Sequence, residues 1–189
     1  MQPLTPPAVD LKRITFPGKI HLIRSDKELN EVEKVFSEVT ALGFDTETKP
    51  SFKKGDVFKV ALLQLATEHD AYLIRLHGLT HFDFLKSVFE NEKILKVGLA
   101  IRDDIKQLQK IFSFTPKNFK ELQEIAKTKG LQNFGLKGMA AEVLQAALSK
   151  GPKLTNWEAQ ILTEAQMMYA ATDAWIGLQL YKKLEPTLA

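Results

Sequence analysis

Cysteine is absent, which excludes a disulfide scaffold, a thiolate zinc site and a cysteine nucleophile. Histidine is scarce and scattered, so an imidazole-rich metal site has little to draw on. Long apolar runs are missing too: nothing approaches the roughly 20 residues that a membrane-spanning helix needs. The first residues, MQPLTPPAVDLKRITF, show no basic segment followed by an apolar core, so no signal peptide is expected. A cytoplasmic protein fits these absences.

What is present is an ordinary globular mixture. Hydrophobic residues make up 44% and charged residues 26% of 189, which rules out a disordered chain, a collagen-like chain and a coiled coil. A chain of this length buries roughly 70% of its unfolded surface and needs no staples. The net charge of +3 is mild. Lysines gather in small groups: Lys49, Lys53 and Lys54; Lys117 and Lys120; Lys127 and Lys129; Lys150 and Lys153. Such groups suit either a solvated surface or a basic rim that attracts phosphates, and composition does not choose between them.

Residues 1–17 carry four prolines and no clear period, and read as an extended arm over residues 1–18. One domain is expected to fill 19–189. Lys19–Arg24 reads as a short strand. Ser25 and Glu28 form a capping-box pattern that opens a helix running to about Val39. Ala41–Thr48, Val57–Thr67 and Asp70–Leu76 read as three strands with short links, an antiparallel meander. Helices are expected at His81–Asn91, Arg102–Phe112, Asn118–Lys129 and Leu136–Leu148, with a buried strand at Ile94–Gly98. Thr163 and Gln166 start a last long helix that stops at Leu184, before Pro186. Strands followed by mixed strands and helices define an α/β domain with helices on the sheet faces.

Three stretches hold acids in unusual company. Asp45 and Glu47, two apart in a strand, project from one face with Phe44 on the other. Taken alone, that pair is a fraying strand end. Asp103 and Asp104 lie where a buried strand gives way to a helix, an ordinary place for a cap. Tyr169 and Asp173 share one face of the last helix, one turn apart, as a surface acid beside a half-buried ring would. Together the acids form an all-oxygen ligand set suited to Mg²⁺ or Mn²⁺ rather than Zn²⁺. Two such ions can clamp the attacking and leaving oxygens of a phosphodiester, and a nearby Tyr can orient the attacking water.

On these residues the sequence resembles the DEDD superfamily of 3′→5′ exonucleases, in the subclass whose third motif carries Tyr (DEDDy). Within it the resemblance is to Werner-type exonuclease domains and, more distantly, to ribonuclease D. The first motif is matched by Phe44-Asp45-Thr46-Glu47-Thr48-Lys49-Pro50, with the strand Lys59–Leu65 after it. The second is matched by Val97 to Leu108 and the third by Tyr169-Ala-Ala-Thr-Asp173-Ala-Trp175. Leu136–Leu144 and Asn156-Trp157 also look Werner-type. The resemblance covers roughly Lys19 to Leu184.

It implies a ribonuclease H-like fold with a mixed central sheet and helices on both faces. It implies two divalent cations, Mg²⁺ or Mn²⁺, held by Asp45, Glu47, Asp104 and Asp173, with Tyr169 acting on the attacking water. The second-motif register, aligned through Ile101 and Leu108, favours Asp104 over Asp103 as the ligand. The implied reaction is 3′→5′ hydrolysis of DNA with release of nucleoside 5′-monophosphates. The alternatives are a ribonuclease D-like exoribonuclease and a nucleic-acid-binding module without chemistry. Thr46, Lys53, Lys54, Lys137 and Lys153 are candidate nucleic-acid contacts. Phe52, Phe134 and Trp157 are candidates for stacking on terminal bases, though plain core packing suits Phe52 and Phe134 equally. The chain has neither the helical RNA-binding repeats of ribonuclease D nor a helicase, so delivery of a single-stranded or recessed 3′ end is left to a separate protein, a helicase among the options. The absence of eukaryotic extensions points to a bacterial source.

Overall fold

The computed structural model describes residues 11–49, 59–149, 151 and 155–185. In chain order the elements are β1 (Lys12–Arg13), β2 (Lys19–Ile23), α1 (Asp26–Glu33), β3 (Ala41–Thr48), β4 (Val60–Ala66), β5 (Asp70–Arg75) and α2 (Asp83–Glu90). Then come β6 (Leu95–Gly98), α3 (Ile101–Gln109), β7 (Phe119–Glu121), α4 (Leu122–Thr128), α5 (Leu136–Leu144), β8 (Ala146–Ala147) and α6 (Glu164–Leu184). Six strands form one mixed sheet in the order β2-β5-β4-β3-β6-β7. The expected meander is present: β3, β4 and β5 pair antiparallel. The strands β2, β6 and β7 join parallel to their neighbours.

Alternation along the central strands builds two cores. Phe44, Leu63, Leu65 and Ile74 point to one face, where α1, α2 and α3 cover them with Leu29, Val32, Phe84, Leu85, Phe89, Ile101 and Leu108. Leu62, Ala66, Ala71 and Leu73 point to the other, against Ala170, Ala171 and Ala174 of α6. Because both faces are covered, all seven residues of β4 are buried and its sequence reads as one nearly continuous apolar run. The α6 helix lies very close to β3. A Cβ at Gly43 would run into the Ala174 carbonyl, so only glycine admits this approach. That proximity brings Asp173 to the end of β3. Among the described residues no helix is long and apolar enough to cross a membrane.

The first helix does not run to Val39. It stops at Glu33 and tightens into a 3₁₀ turn, Phe36–Glu38, with Val35 N–H bonded to the Val32 carbonyl. The tighter winding turns Phe36 into the core at 5% exposure and leaves Val35 outside. Ser25 caps Glu28 N–H, but the Glu28 carboxylate accepts from Arg24 N–H instead of closing the box on Ser25. At Thr163 and Gln166 the box is complete.

The expected helix from Asn118 begins as a strand. Asn118 takes a positive φ of 50°, Phe119–Glu121 pairs with β6, and the helix starts only at Leu122. The helix expected to reach Leu148 ends at Leu144, where Gln145 takes φ 52°. Ala146–Ala147 then pairs parallel with Lys12–Arg13. The segment after β1 docks on α6: Phe16 is buried, and its N–H donates to Thr172 Oγ1 at 2.9 Å.

Glu121 does more than end β7. Its Oε1 accepts from Ala100 N–H and its Oε2 from Ile101 N–H, both at 2.8 Å, and Oε1 also accepts from Gln123 N–H. One carboxylate thus caps the starts of α3 and α4, where helix dipoles favour negative charge. Ala100 itself sits at φ 56°, so this corner depends on that anchor. Glu121→Ala is expected to lower stability by about 2 kcal/mol in urea unfolding. It should also lower activity, because α3 carries Asp104 in its first turn. An unchanged urea midpoint would contradict the double cap.

Candidate active site

The end of β3 places Asp45 and Glu47 on the α6 side of the sheet, at a register shift between Glu47 and Thr48 that ends regular pairing. The helical spacing of Tyr169 and Asp173 sets both over that end. Carboxylate oxygens of Asp45, Glu47 and Asp173 lie within 4.8 Å of one another. Asp104 is not part of this trio. It comes from α3 on the opposite face of the sheet, and its Oδ1 accepts a hydrogen bond from Thr46 Oγ1 at 2.5 Å. Thr46, on the Phe44 face of β3, therefore ties the strand to α3. Asp103 turns away, with its side chain 90% exposed and Lys106 Nζ 3.6 Å away. Of the two adjacent acids, Asp104 is the one beside the cluster.

Crowding shows in the proton affinities. Burial, then the Glu47 and Asp173 charges, push the Asp45 carboxyl well above the usual range, against the Thr46 N–H bonded to its Oδ1. Burial and the charges of Asp173 and Asp104 raise Glu47 to about 8, with the Trp157 side chain opposing as a hydrogen-bond donor. Asp173 is raised to about 6 by burial, against the Tyr169 hydrogen bond and the positive Lys137. Asp104 is raised by burial, less the Thr46 hydrogen bond. Such a group of acids is held short of full ionisation unless positive charge is brought among them.

Tyr169 donates its hydroxyl to Asp173, and burial beside these acids raises its pKa, so the phenol stays protonated at neutral pH. The ring stacks on Trp157 at 6.4 Å between centroids. Gly151 passes so close that a Cβ there would strike the phenol. A cavity of about 460 Å³, with Ile14, Met168 and Thr172 among its walls, adjoins Tyr169 and Asp173.

Trp157, expected as a stacking surface for bases, is 4% exposed and forms a wall behind Glu47 and Tyr169. Lys137 is exposed in the first turn of α5, near enough for its charge to act on Asp173. Phe134 is 38% exposed, with Lys127 Nζ 6.0 Å from its ring centroid, and so belongs to the surface. Phe52, Lys53, Lys54 and Lys153 lie outside the described residues.

Sequence reasoning missed the residues that hold this arrangement. Arg75 is buried in β5 and donates from Nη1 to the Gln160 carbonyl at 2.9 Å and from Nη2 to the Ala159 carbonyl. It thereby pins the segment that carries Trp157. A cation inside the apolar run DAYLIR was the available signal. Glu121 left no such signal, because its partners are backbone amides.

The donor set fits a hard divalent cation: three carboxylate oxygens converge, a fourth acid stands near, and no sulfur or imidazole competes. A mixed sheet with helices on both faces, and acids gathered between its central strand and the helix crossing it, is the ribonuclease H-like architecture of nucleases, hydrolases acting on nucleic acids. The chain belongs to the 3′-5′ exonuclease family, which matches residues 20–189.

It is 33% identical over 185 residues to the mouse bifunctional 3′-5′ exonuclease/ATP-dependent helicase WRN, covering 93% of this chain and 13% of that protein. It is 29% identical over 182 residues to ribonuclease D of Haemophilus influenzae, covering 95% of this chain and 45% of that one. The chain thus spans less than half the length of either relative. Among solved structures, the Aedes aegypti Nibbler EXO domain superposes with a TM-score of 0.82 at 26% identity, over 93% of this chain and 92% of that one. Escherichia coli ribonuclease D superposes at 0.78 and 26% identity, over 89% and 46%.

Proposed function

We propose that this protein is a cation-dependent 3′→5′ exonuclease of the Tyr-containing subclass that shortens DNA from the 3′ end and releases nucleoside 5′-monophosphates. The observation that carries the reading is the meeting of Asp45, Glu47 and Asp173 beside a protonated Tyr169, with Asp104 next to them. Two divalent cations, Mg²⁺ or Mn²⁺, would be held by Asp45, Glu47, Asp104 and Asp173. When bound they supply charge neutralisation and polarise the scissile phosphodiester.

The chain's own groups do the rest. Tyr169, kept protonated with its hydroxyl on Asp173, orients the attacking water by accepting a hydrogen bond from it rather than acting as a base. Trp157 and Gly151 fix the plane of its ring. Glu47, raised to about 8 without cations, would be ionised as a ligand, and the proton lost by the attacking water passes to bulk solvent. Water oxygen bonds to phosphorus, the bond from phosphorus to the 3′-oxygen of the preceding nucleotide breaks, and that oxygen takes up a proton. Lys137 adds positive charge beside Asp173, where a phosphate would lie.

RNA is the second reading, favoured by the 29% identity to a ribonuclease D along 95% of the chain. A module without chemistry is disfavoured, because all four acids and the Tyr are in place. Matched 5′-labelled single-stranded DNA, recessed-3′ duplex and RNA, each with Mg²⁺, Mn²⁺ or EDTA, decide the matter. A ladder shortening from the 3′ end, faster on DNA and lost in EDTA, is expected. Faster shortening of RNA would transfer the assignment to a ribonuclease. Binding without any ladder would overturn the enzyme.

A further inference from the structure

Gln64 is fully buried in the centre of β4, and neither its Nε2 nor its Oε1 has a hydrogen-bond partner among the described residues. An unpaired buried amide is a net cost to the fold, and an apolar side chain of the same length would avoid it. Arg75, the other buried polar side chain with an unpaired atom among the described residues, keeps its remaining nitrogens on two carbonyls; Gln64 keeps nothing.

Its position is informative. Gln64 stands directly opposite Asp45 in the antiparallel β3–β4 register, so the two side chains leave the same face of the sheet as nearest cross-strand neighbours. On that face Gln64 is flanked by Leu62 and Ala66, which pack with the alanines of α6. Of its two cross-strand neighbours, Asp45 and Leu73, only Asp45 is polar.

We infer that Gln64 is a positioning residue for Asp45, its amide N–H held in reserve for the ionised, cation-bound carboxylate. A donor behind a ligating carboxylate fixes the plane of the group and favours its charged form. In the cation-free protein the amide is left without that partner. The inference rests on the proposed reading that Asp45 helps to hold a cation.

The test is Gln64→Met in the full chain, with Gln64→Leu as a second apolar variant in case one packs badly. Three quantities are read: the melting temperature in EDTA, the Mn²⁺ dissociation constant by calorimetry, and kcat against KM on a 5′-labelled strand. The expected result is a higher melting temperature in EDTA, Mn²⁺ affinity weaker by about 10–100-fold, and a fall in kcat with KM unchanged. Unchanged Mn²⁺ affinity in both variants, or lower melting temperatures in both, overturns the inference while leaving the exonuclease reading intact if the wild type binds and cleaves. A wild type that takes up no Mn²⁺ overturns both.

Discussion

Asp45→Ala protein is expected to release nucleotides at least about a thousandfold more slowly than wild type, the loss that follows when several kcal/mol of cation-borne charge stabilisation are withdrawn. Asp173→Ala should behave alike. Both proteins should keep the wild-type fold by circular dichroism. Without cations, Asp45→Ala should melt no lower than wild type, because the carboxyl it removes is buried among like charges. Loss of activity joined to retained or increased stability is the signature of a site built against the fold's own preference. A structural acid would give the opposite pairing. Substantial cleavage by Asp45→Ala protein, or its collapse in EDTA, would contradict this account.

The second large effect is a cation-induced rise in melting temperature that grows with pH. Glu47 titrates at about 8 and Asp173 at about 6, against ordinary values of 4.5 and 3.8. Between the ordinary and raised values the folded protein binds more protons than the unfolded chain, so stability falls as pH rises. The cation-free protein should therefore lose stability from about pH 4 to pH 8. Mn²⁺ competes with protons for the same oxygens and binds best where the acids are ionised. At a cation level 100 times its dissociation constant, binding adds about 2.7 kcal/mol. For a chain of this size that is roughly 5–10 °C. The gap between Mn²⁺ and EDTA should thus be small at pH 5 and of that size at pH 8.

Lys96 is a separate source of pH dependence. Buried in β6 with Nζ on the Val88 and Asn91 carbonyls, it is pushed down to about 8, so its contribution is present above the unfolded lysine value and is lost as pH falls through 8. Its bonds go to the end of α2, so it enters both arms of the comparison and cancels in the difference. A gap that does not change with pH would contradict the clustering of the acids.

The parts of this structure that were legible in the sequence are those set by short-range chemistry. Short apolar runs bounded by polar turns, VALLQLA and DAYLIR, mark strands, the Thr163–Gln166 pattern marks the start of α6, and spacings of two and four put Asp45 with Glu47 and Tyr169 with Asp173. The mixed sheet and the acid cluster follow from these patterns once the family resemblance supplies the topology. Illegible were features decided by distant partners. Phe119–Glu121 reads as the start of a helix because only β6, more than 20 residues earlier, makes it a strand. Two residues at each of β1 and β8 are too few to leave a pattern, and their pairing joins the two halves of the chain. Trp157 looks available to bases until Arg75 is seen to pin its segment and Tyr169 to stack on its ring. Asp104 illustrates the boundary: its motif gave the residue, but its approach from the opposite face, through Thr46, required the fold.

Anomalous diffraction from crystals soaked in Mn²⁺ near pH 8 tests the central claim most directly. The account predicts strong peaks among the carboxylates of Asp45, Glu47, Asp173 and Asp104, absent from Asp45→Ala crystals treated alike. Saturating Mn²⁺ with no peak in the cluster, or peaks only at other acids, would contradict it.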